Sequence, residues 1–237
     1  MKIRLGWFTL ALLATVACGG AAPQPATPPP STAAAPSASA TAPEAPPSVS
    51  VVRFDDLGVS LAVPPGFHVV GDDELAARVR SSANPRLTAS LQNRAPEKKG
   101  LPLLTLSKEV APGDSLTLTL TATVLPADAT VAELLTQQQK VMADNLQAFT
   151  ITDGPRPHDV DGVQGLELSD RYALRSGAEV HKVASTMRLF VRKGLAFAIV
   201  AVWNDEASHA TTAAPAADPV SEARALLDGL HFYDAQP

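Results

Sequence analysis

Cysteine occurs once in the 237 residues, at Cys18. A single thiol excludes an internal disulfide and any site built from several thiolates, so the folded part of the chain must hold by packing alone. Aromatic residues are few, and cationic ones are outnumbered by acidic ones, giving a net charge of -5. That balance argues against nucleic acid as a partner and gives no reason to dock on anionic lipid headgroups. No apolar run is long enough for a transmembrane helix. The familiar local signatures of chemistry are missing as well: no G-x-S-x-G elbow, Gly-rich phosphate loop, H-E-x-x-H or Walker sequence occurs, and no cofactor or metal is expected.

What is present begins with an address. Lys2 and Arg4 form a positive n-region, Leu5 to Val16 an apolar h-region, and Thr15-Val16-Ala17 a small-residue cleavage site before Cys18. Residues 1–17 therefore read as a signal peptide. Ala17-Cys18-Gly19-Gly20 resembles the lipobox of bacterial lipoproteins, with Thr15 where leucine is usual, and this resemblance implies that Cys18 is lipidated and anchors the chain in the cell envelope. Gly19 after the cysteine resembles outer-membrane rather than inner-membrane sorting. The same segment also reads as plain secretion, leaving an unlipidated protein. Cleavage would carry away two cations and leave the mature chain at about -7.

From Gly19 to Ser50, nine of 32 residues are proline, most others are Ala, Ser or Thr, and Glu44 is the only charge. Such a stretch cannot bury enough apolar surface to offset chain entropy, so residues 18–48 are expected to be a lipidated cysteine followed by a disordered tether. Its span is roughly 30 Å as a coil and about 100 Å if extended. Residues 49–237 remain for one globular domain.

That domain is organised around Leu166 to Trp203, where Ser176-Gly177 and Lys193-Gly194 divide a three-strand meander. With two-residue turns, Leu166, Leu168 and Tyr172 share a face with His181, Val183, Met187 and Leu189, and His181 falls opposite Tyr172. The other face carries Glu167, Arg171, Lys182 and Arg188, then a Phe190/Phe197 pair with Ile199 and Trp203. An apolar patch on each side of one sheet predicts cover on both sides. The fold class expected is α+β, with an antiparallel sheet of about six or seven strands between helices as a three-layer α/β/α arrangement. Phe190, Phe197, Ile199 and Trp203 form the candidate partner face.

Around this core, Val51 to Phe54 and Val59 to Val63 predict a hairpin across Asp55-Asp56-Leu57-Gly58, ended by Pro64-Pro65-Gly66. Asp72 caps a short helix, and residues 81–100 read as loop. Leu103 to Val110 and Leu116 to Val124 read as strands, the second alternating Leu with Thr, so that one face of the sheet is dry and the other wetter. Thr130-Val131-Ala132-Glu133 is a capping box opening a helix to about Phe149, with Gln138 and Asn145 interrupting its apolar stripe. Asn204 to Ala217 reads as a loop. A last helix begins at Asp218-Pro219 and buries Val220, Ala223, Leu226, Leu227 and Leu230.

Gly58-Val59-Ser60-Leu61-Ala62-Val63-Pro64-Pro65-Gly66-Phe67, together with Asp161-Gly162-Val163-Gln164-Gly165 and a helix ending in Leu230-His231-Phe232, resembles the PsbP-like superfamily, which includes Ran-binding Mog-like proteins and bacterial envelope lipoproteins. The resemblance spans Val51 to Phe232 and implies a sheet between helices. It carries over no catalytic residues.

Two function classes follow. The first is a noncatalytic envelope module that binds a protein or small-molecule partner, or assists envelope assembly. The second is a hydrolase with a site assembled from distant residues, for which Ser169, Asp170 and His181 are the candidates. His158, Asp159, Asp161 and His181 could be grouped as metal ligands, but Asp159-Val160-Asp161-Gly162 lacks the further ligands of a calcium loop, and structural roles are expected.

Overall fold

A computed structural model of the protein describes residues 49–71, 103–111, 114–125, 129–176, 179–205 and 218–234. The signal peptide, Cys18, the tether through residue 48, the helix expected after Asp72, the 81–100 loop and most of the 204–217 loop lie outside the described residues. In chain order the elements are β1 (Ser50–Phe54), β2 (Val59–Val63), β3 (His68–Val69), β4 (Leu104–Ala111), β5 (Asp114–Val124), α1 (Val131–Asn145), β6 (Gln147–Val160), β7 (Val163–Ser176), β8 (Glu179–Arg192), β9 (Leu195–Asn204), α2 (Pro219–Asp228) and β10 (Leu230–Phe232). Seven strands form one antiparallel sheet in the order β3-β4-β5-β9-β8-β7-β6, and β1-β2-β10 form a second.

The meander sits at the centre of the large sheet, and its second turn fixes its register. Lys193 and Gly194 both have positive φ, at 50° and 75°, the backbone that a two-residue hairpin turn requires. Phe190 and Phe197 accordingly stand opposite each other. The first turn differs from expectation. Ser176 pairs with Glu179, and His181 faces Leu174 while Tyr172 faces Val183. The shift is two residues, and because side chains alternate with period two it leaves every face assignment unchanged.

Each face has its own cover. Leu134, Leu135 and Met142 of α1 pack on Leu168, Tyr172, Val183, Met187, Leu189 and the Ala196, Ala198, Val200, Val202 row of β9. On the other face Phe190, Phe197, Ile199, Ala201 and Trp203 meet Ala223, Leu226 and Leu227 of α2, and also Val59, Leu61, Leu230 and Phe232 of the small sheet. The class is α+β, as expected, but a clean helix layer on both sides is not what forms. The second cover is part helix and part sheet, because Leu230-His231-Phe232 is a strand rather than the end of the last helix. That helix stops at Asp228. Gly229 follows it against β2, accepting a hydrogen bond from the Ala62 amide at 2.8 Å, and a Cβ on Gly229 would lie 2.5 Å from the Ala62 carbonyl oxygen. Pro219 rather than Val220 completes the buried stripe of α2, Val220 being 36% exposed.

Helix α1 begins as its capping box dictates, with the Thr130 hydroxyl accepting from the Glu133 amide and the Glu133 carboxylate accepting from the Thr130 amide. It ends earlier than the apolar spacing suggests, at Asn145. Leu146 and Phe149 still pack on the α1 core, but from the chain that enters β6. This 14-residue strand is unanticipated, since Gly154, Pro155 and Pro157 fall within it. Proline has no N–H to donate to a ladder, yet β6 has only β7 beside it and breaks register with β7 at three points, so the prolines fit.

Candidate ligand site on the helix α1 face

The residues expected to form a partner face are core. Phe190, Phe197 and Ile199 are at most 1% exposed and Trp203 is 6% exposed. The Phe232 ring of β10 meets both phenylalanines edge-on, each at 5.3 Å between centroids. This corrects the sequence reading: the apolar face is covered by the chain's own small sheet and α2, so no partner can reach it. The motif glycine Gly165 belongs to the same packing. Phe190 lies over it, and a Cβ there would stand 2.4 Å from the ring.

Among the hydrolase candidates, Ser169 and Asp170 are neighbours in β7 and so point to opposite faces. The Ser169 hydroxyl bonds that of Thr186 at 2.9 Å, while Asp170 is buried on the α1 side and accepts from the Ser185 hydroxyl at 2.6 Å. His181 shares the Asp170 face but lies four residues along β8 from Ser185, about 13 Å away at strand rise. The three are not brought together. Nor are the residues grouped as metal ligands. Asp161 accepts from the Phe232 amide at 2.9 Å and lies 3.2 Å from His231 Nδ1, pinning the β6–β7 turn to β10. His158 meets the edge of the Phe190 ring, and Asp159 pairs across the strand with Gln164.

On the α2 face, the charges of the meander form a buried ion-pair cluster. Glu167 and Arg188 are cross-strand partners, joined from Arg188 Nε to Glu167 Oε2 at 2.6 Å, and Arg188 Nη2 reaches Asp228 at the end of α2 at 2.6 Å. Arg156 of β6 adds a second guanidinium on Glu167. Burial pushes the Glu167 carboxyl up, but hydrogen bonds from Arg156 and Arg188 outweigh it and hold the group below its ordinary range. Burial, reinforced by Arg188, pushes the nearby His158 down. Each charged group here has a partner, although Arg188 Nη1 makes no hydrogen bond among the described residues, and the cluster reads as a tie between α2 and the sheet.

The α1 face holds a different kind of polarity. Ser107, Thr117, Val202, Ser185 and Asp170 stand in one rank across β4, β5, β9, β8 and β7, each directly opposite the next, and none is more than 3% exposed. Thr105 and Thr119 continue it in the neighbouring rank, which runs on through Val200, Met187 and Leu168. Over the Asp170 end, Gln138 of α1 is 5% exposed, set among Leu134, Leu135 and Met142. Those three pack on Leu168, Tyr172, Val183 and Met187, the side chains that bracket Asp170 and Ser185. Eight buried side-chain nitrogen or oxygen atoms have no hydrogen-bond partner among the described residues, and six are here: the hydroxyls of Thr105, Thr117 and Thr119, both amide atoms of Gln138, and Asp170 Oδ2. Buried polar atoms are ordinarily satisfied, which sets these six on one face apart from the rest of the core. Gln138 lines this region, whereas Asn145 is exposed and spends its amide on the Val141 carbonyl. The Leu/Thr alternation predicts a wetter face, but Thr117 and Thr119 are as buried as the leucines, so both faces of β5 are dry there, and only the register across five strands aligns the threonines with Ser185 and Asp170.

No family model matches the chain, and no curated protein matches it in sequence. In structure it is similar to the cyanobacterial PsbP protein CyanoP from Synechocystis sp. PCC 6803, with 11% identity over 82% of this chain and 98% of that one, at a TM-score of 0.48. It is also similar to LpqN, involved in cell envelope biogenesis of Mycobacterium tuberculosis, with 12% identity over 79% of this chain and 85% of that one, at a TM-score of 0.44. Among the described residues no helix is long and apolar enough to cross a membrane.

Proposed function

We propose that the protein is a noncatalytic lipoprotein of the bacterial cell envelope, held by a lipid on Cys18, whose tethered domain takes up a small molecule along the polar rank beneath α1. The observation that carries this reading is the concentration of unpartnered buried polar atoms on one face, six of eight, whereas in the charge cluster of the other face only Arg188 Nη1 is left without a partner. A structural polar network closes on itself, whereas a site built for a ligand leaves donors and acceptors for it. Among the described residues the rank assembles no serine–histidine pair: the Ser185 hydroxyl donates to Asp170, and His181 lies four residues away along the strand.

Native mass spectrometry of the protein extracted from its own envelope in mild detergent tests this. The expected result is a noncovalent small-molecule adduct that a Thr117→Val/Thr119→Val variant loses. An adduct-free parent protein, or an adduct the variant retains, sinks the reading.

A further inference from the structure

We infer that the free edge of β1 is a pairing surface whose partner is the β1 of a second copy of this chain, joined antiparallel about a two-fold axis at Val51. The hydrogen bonds of β2 show which backbone groups are free. The Ala62 amide donates to the Gly229 carbonyl at 2.8 Å, and the Gly58 carbonyl accepts from the Tyr233 amide at 2.9 Å. Even-numbered residues from Gly58 to Ala62 therefore turn toward β10, while Val59, Leu61 and Val63 turn toward β1, where they pair with Phe54, Val52 and Ser50. By alternation Val51 and Arg53 aim their N–H and C=O groups away from β2, at the end of the small sheet where no described strand stands. The remaining sheet ends among the described residues are closed. β3 has two residues, β6 carries prolines and breaks register, and the outward amide of Phe232 in β10 is taken by Asp161 at 2.9 Å. β1 has no proline, no lysine and no bulge against β2. Its one charge, Arg53, is turned back on its own chain, with Nε 3.2 Å from Asp55 and the guanidinium over the Tyr233 ring. An unblunted edge of this kind is a template for a further strand.

The edge fits itself. Val52 and Phe54 pack on the core, so Val49, Val51 and Arg53 line the solvent-facing side, where both valines are 58% exposed. With the axis at Val51, that valine meets its own copy, and Val49 meets the stem of Arg53 on either side, so apolar surface is buried and no like charges stand opposite. Moving the axis to Arg53 would oppose two guanidinium groups, and moving it to Val49 would run the ladder into Pro47, which has no amide hydrogen to give. The pairing also closes on itself: two three-stranded sheets become one that ends in β10 at both sides, where Asp161 blocks further growth. Five residues per copy cover far less than the ~800 Å² per partner of a standard interface, so the pair is weak in dilute solution. It suits copies confined to a surface, and in that respect the inference rests on the Cys18 anchor proposed above.

The test supplies the anchor chemically, so that it does not depend on whether the cell lipidates Cys18. The mature chain, residues 18–237, is coupled through its one thiol to a maleimide lipid in phosphatidylcholine vesicles, and an amine-reactive crosslinker reports dimers on a denaturing gel. The parent should give a dimer band. Val51→Arg alone and Val51→Glu alone should each weaken pairing about tenfold, because each sets like charges face to face at the axis, and neither new side chain reacts with the crosslinker. Mixed on the same vesicles, the two variants should recover the band, since opposite charges then meet there. Both should melt with the parent, the Val51 side chain lying outside the core. The inference is overturned if the parent crosslinks no more than either variant, if the mixture stays as weak as its parts, or if a ladder of higher oligomers replaces the dimer. The edge would then belong to the strand of a different protein or to the chain's own tether. Fractionation of Cys18→Ser in the cell decides separately whether the native anchor is a lipid.

Discussion

Asp170 is a carboxylate whose chemistry its surroundings change. Burial raises its pKa from 3.8 to about 6, and the hydrogen bond from Ser185 offsets only part of that. A folded-state pKa above the unfolded one means that ionising Asp170 opposes folding. The penalty is absent below about pH 4, where both states hold the proton, grows as pH rises, and is complete above the folded pKa, where it amounts to roughly 3 kcal/mol at 1.36 kcal/mol per unit. Asp170→Asn should therefore stabilise the domain at pH 7.5 and do much less at pH 4, measured by urea unfolding at both values. An equal difference at the two pH values would mean that Asp170 titrates like a solvated carboxyl. Glu167 behaves in the opposite sense, its stabilisation being present above its unfolded pKa and lost as pH falls, but it is common to both proteins and cancels. At this scale the sequence is half legible. That Glu167 and Arg188 share a face follows from alternation alone. That the Gln138 amide atoms and Asp170 Oδ2 lack partners does not, because an unpaired atom is defined by what packs across from it.

At the scale of the element, the hairpin β8–β9 is the best-determined part of the chain. Lys193-Gly194 fixes the turn, the turn fixes the register, and the register sets Phe190 against Phe197 under Phe232. Phe197→Ala should cost roughly 3 to 5 kcal/mol of unfolding free energy, the range for a fully buried aromatic side chain. A cost below about 1 kcal/mol would mean that the α2 face is loosely covered in solution. Elements set by local chemistry were readable in the same way: α1 from its capping box, α2 from Asp218-Pro219, the first hairpin from Gly58. Those set by distant contacts were not. Strand β10 is three residues after a helix, too short to announce itself, and exists because Leu61 and Ser60 are there to pair with it. In β6, Gly154, Pro155 and Pro157 carry the local signal of a loop, and the ladder offered by β7 overrides it. The partner-face reading failed for a related reason, since an apolar face shows that cover exists without saying which segment supplies it.

For the whole molecule, the organising proposal is a folded domain on a lipid leash. Replacing the anchor point, Cys18→Ser, should move the protein from the membrane fraction to the soluble fraction while leaving its thermal unfolding unchanged. A variant that stays with the membrane would place the anchor elsewhere. Anchoring confines many copies to a thin layer, where they meet at concentrations far above those in the surrounding fluid, and a sheet protein in such a layer risks joining its neighbours strand to strand. Both ends of the large sheet are poorly shaped for that. Among the described residues one end is β3, two residues long. The other is β6, whose broken pairing with β7 and two prolines leave no flat run of free amides for a second copy to copy. On a lipid-anchored domain, the irregular strand that hid from the sequence pattern would act as a solubility device, letting copies pack densely on a surface without seeding a fibre.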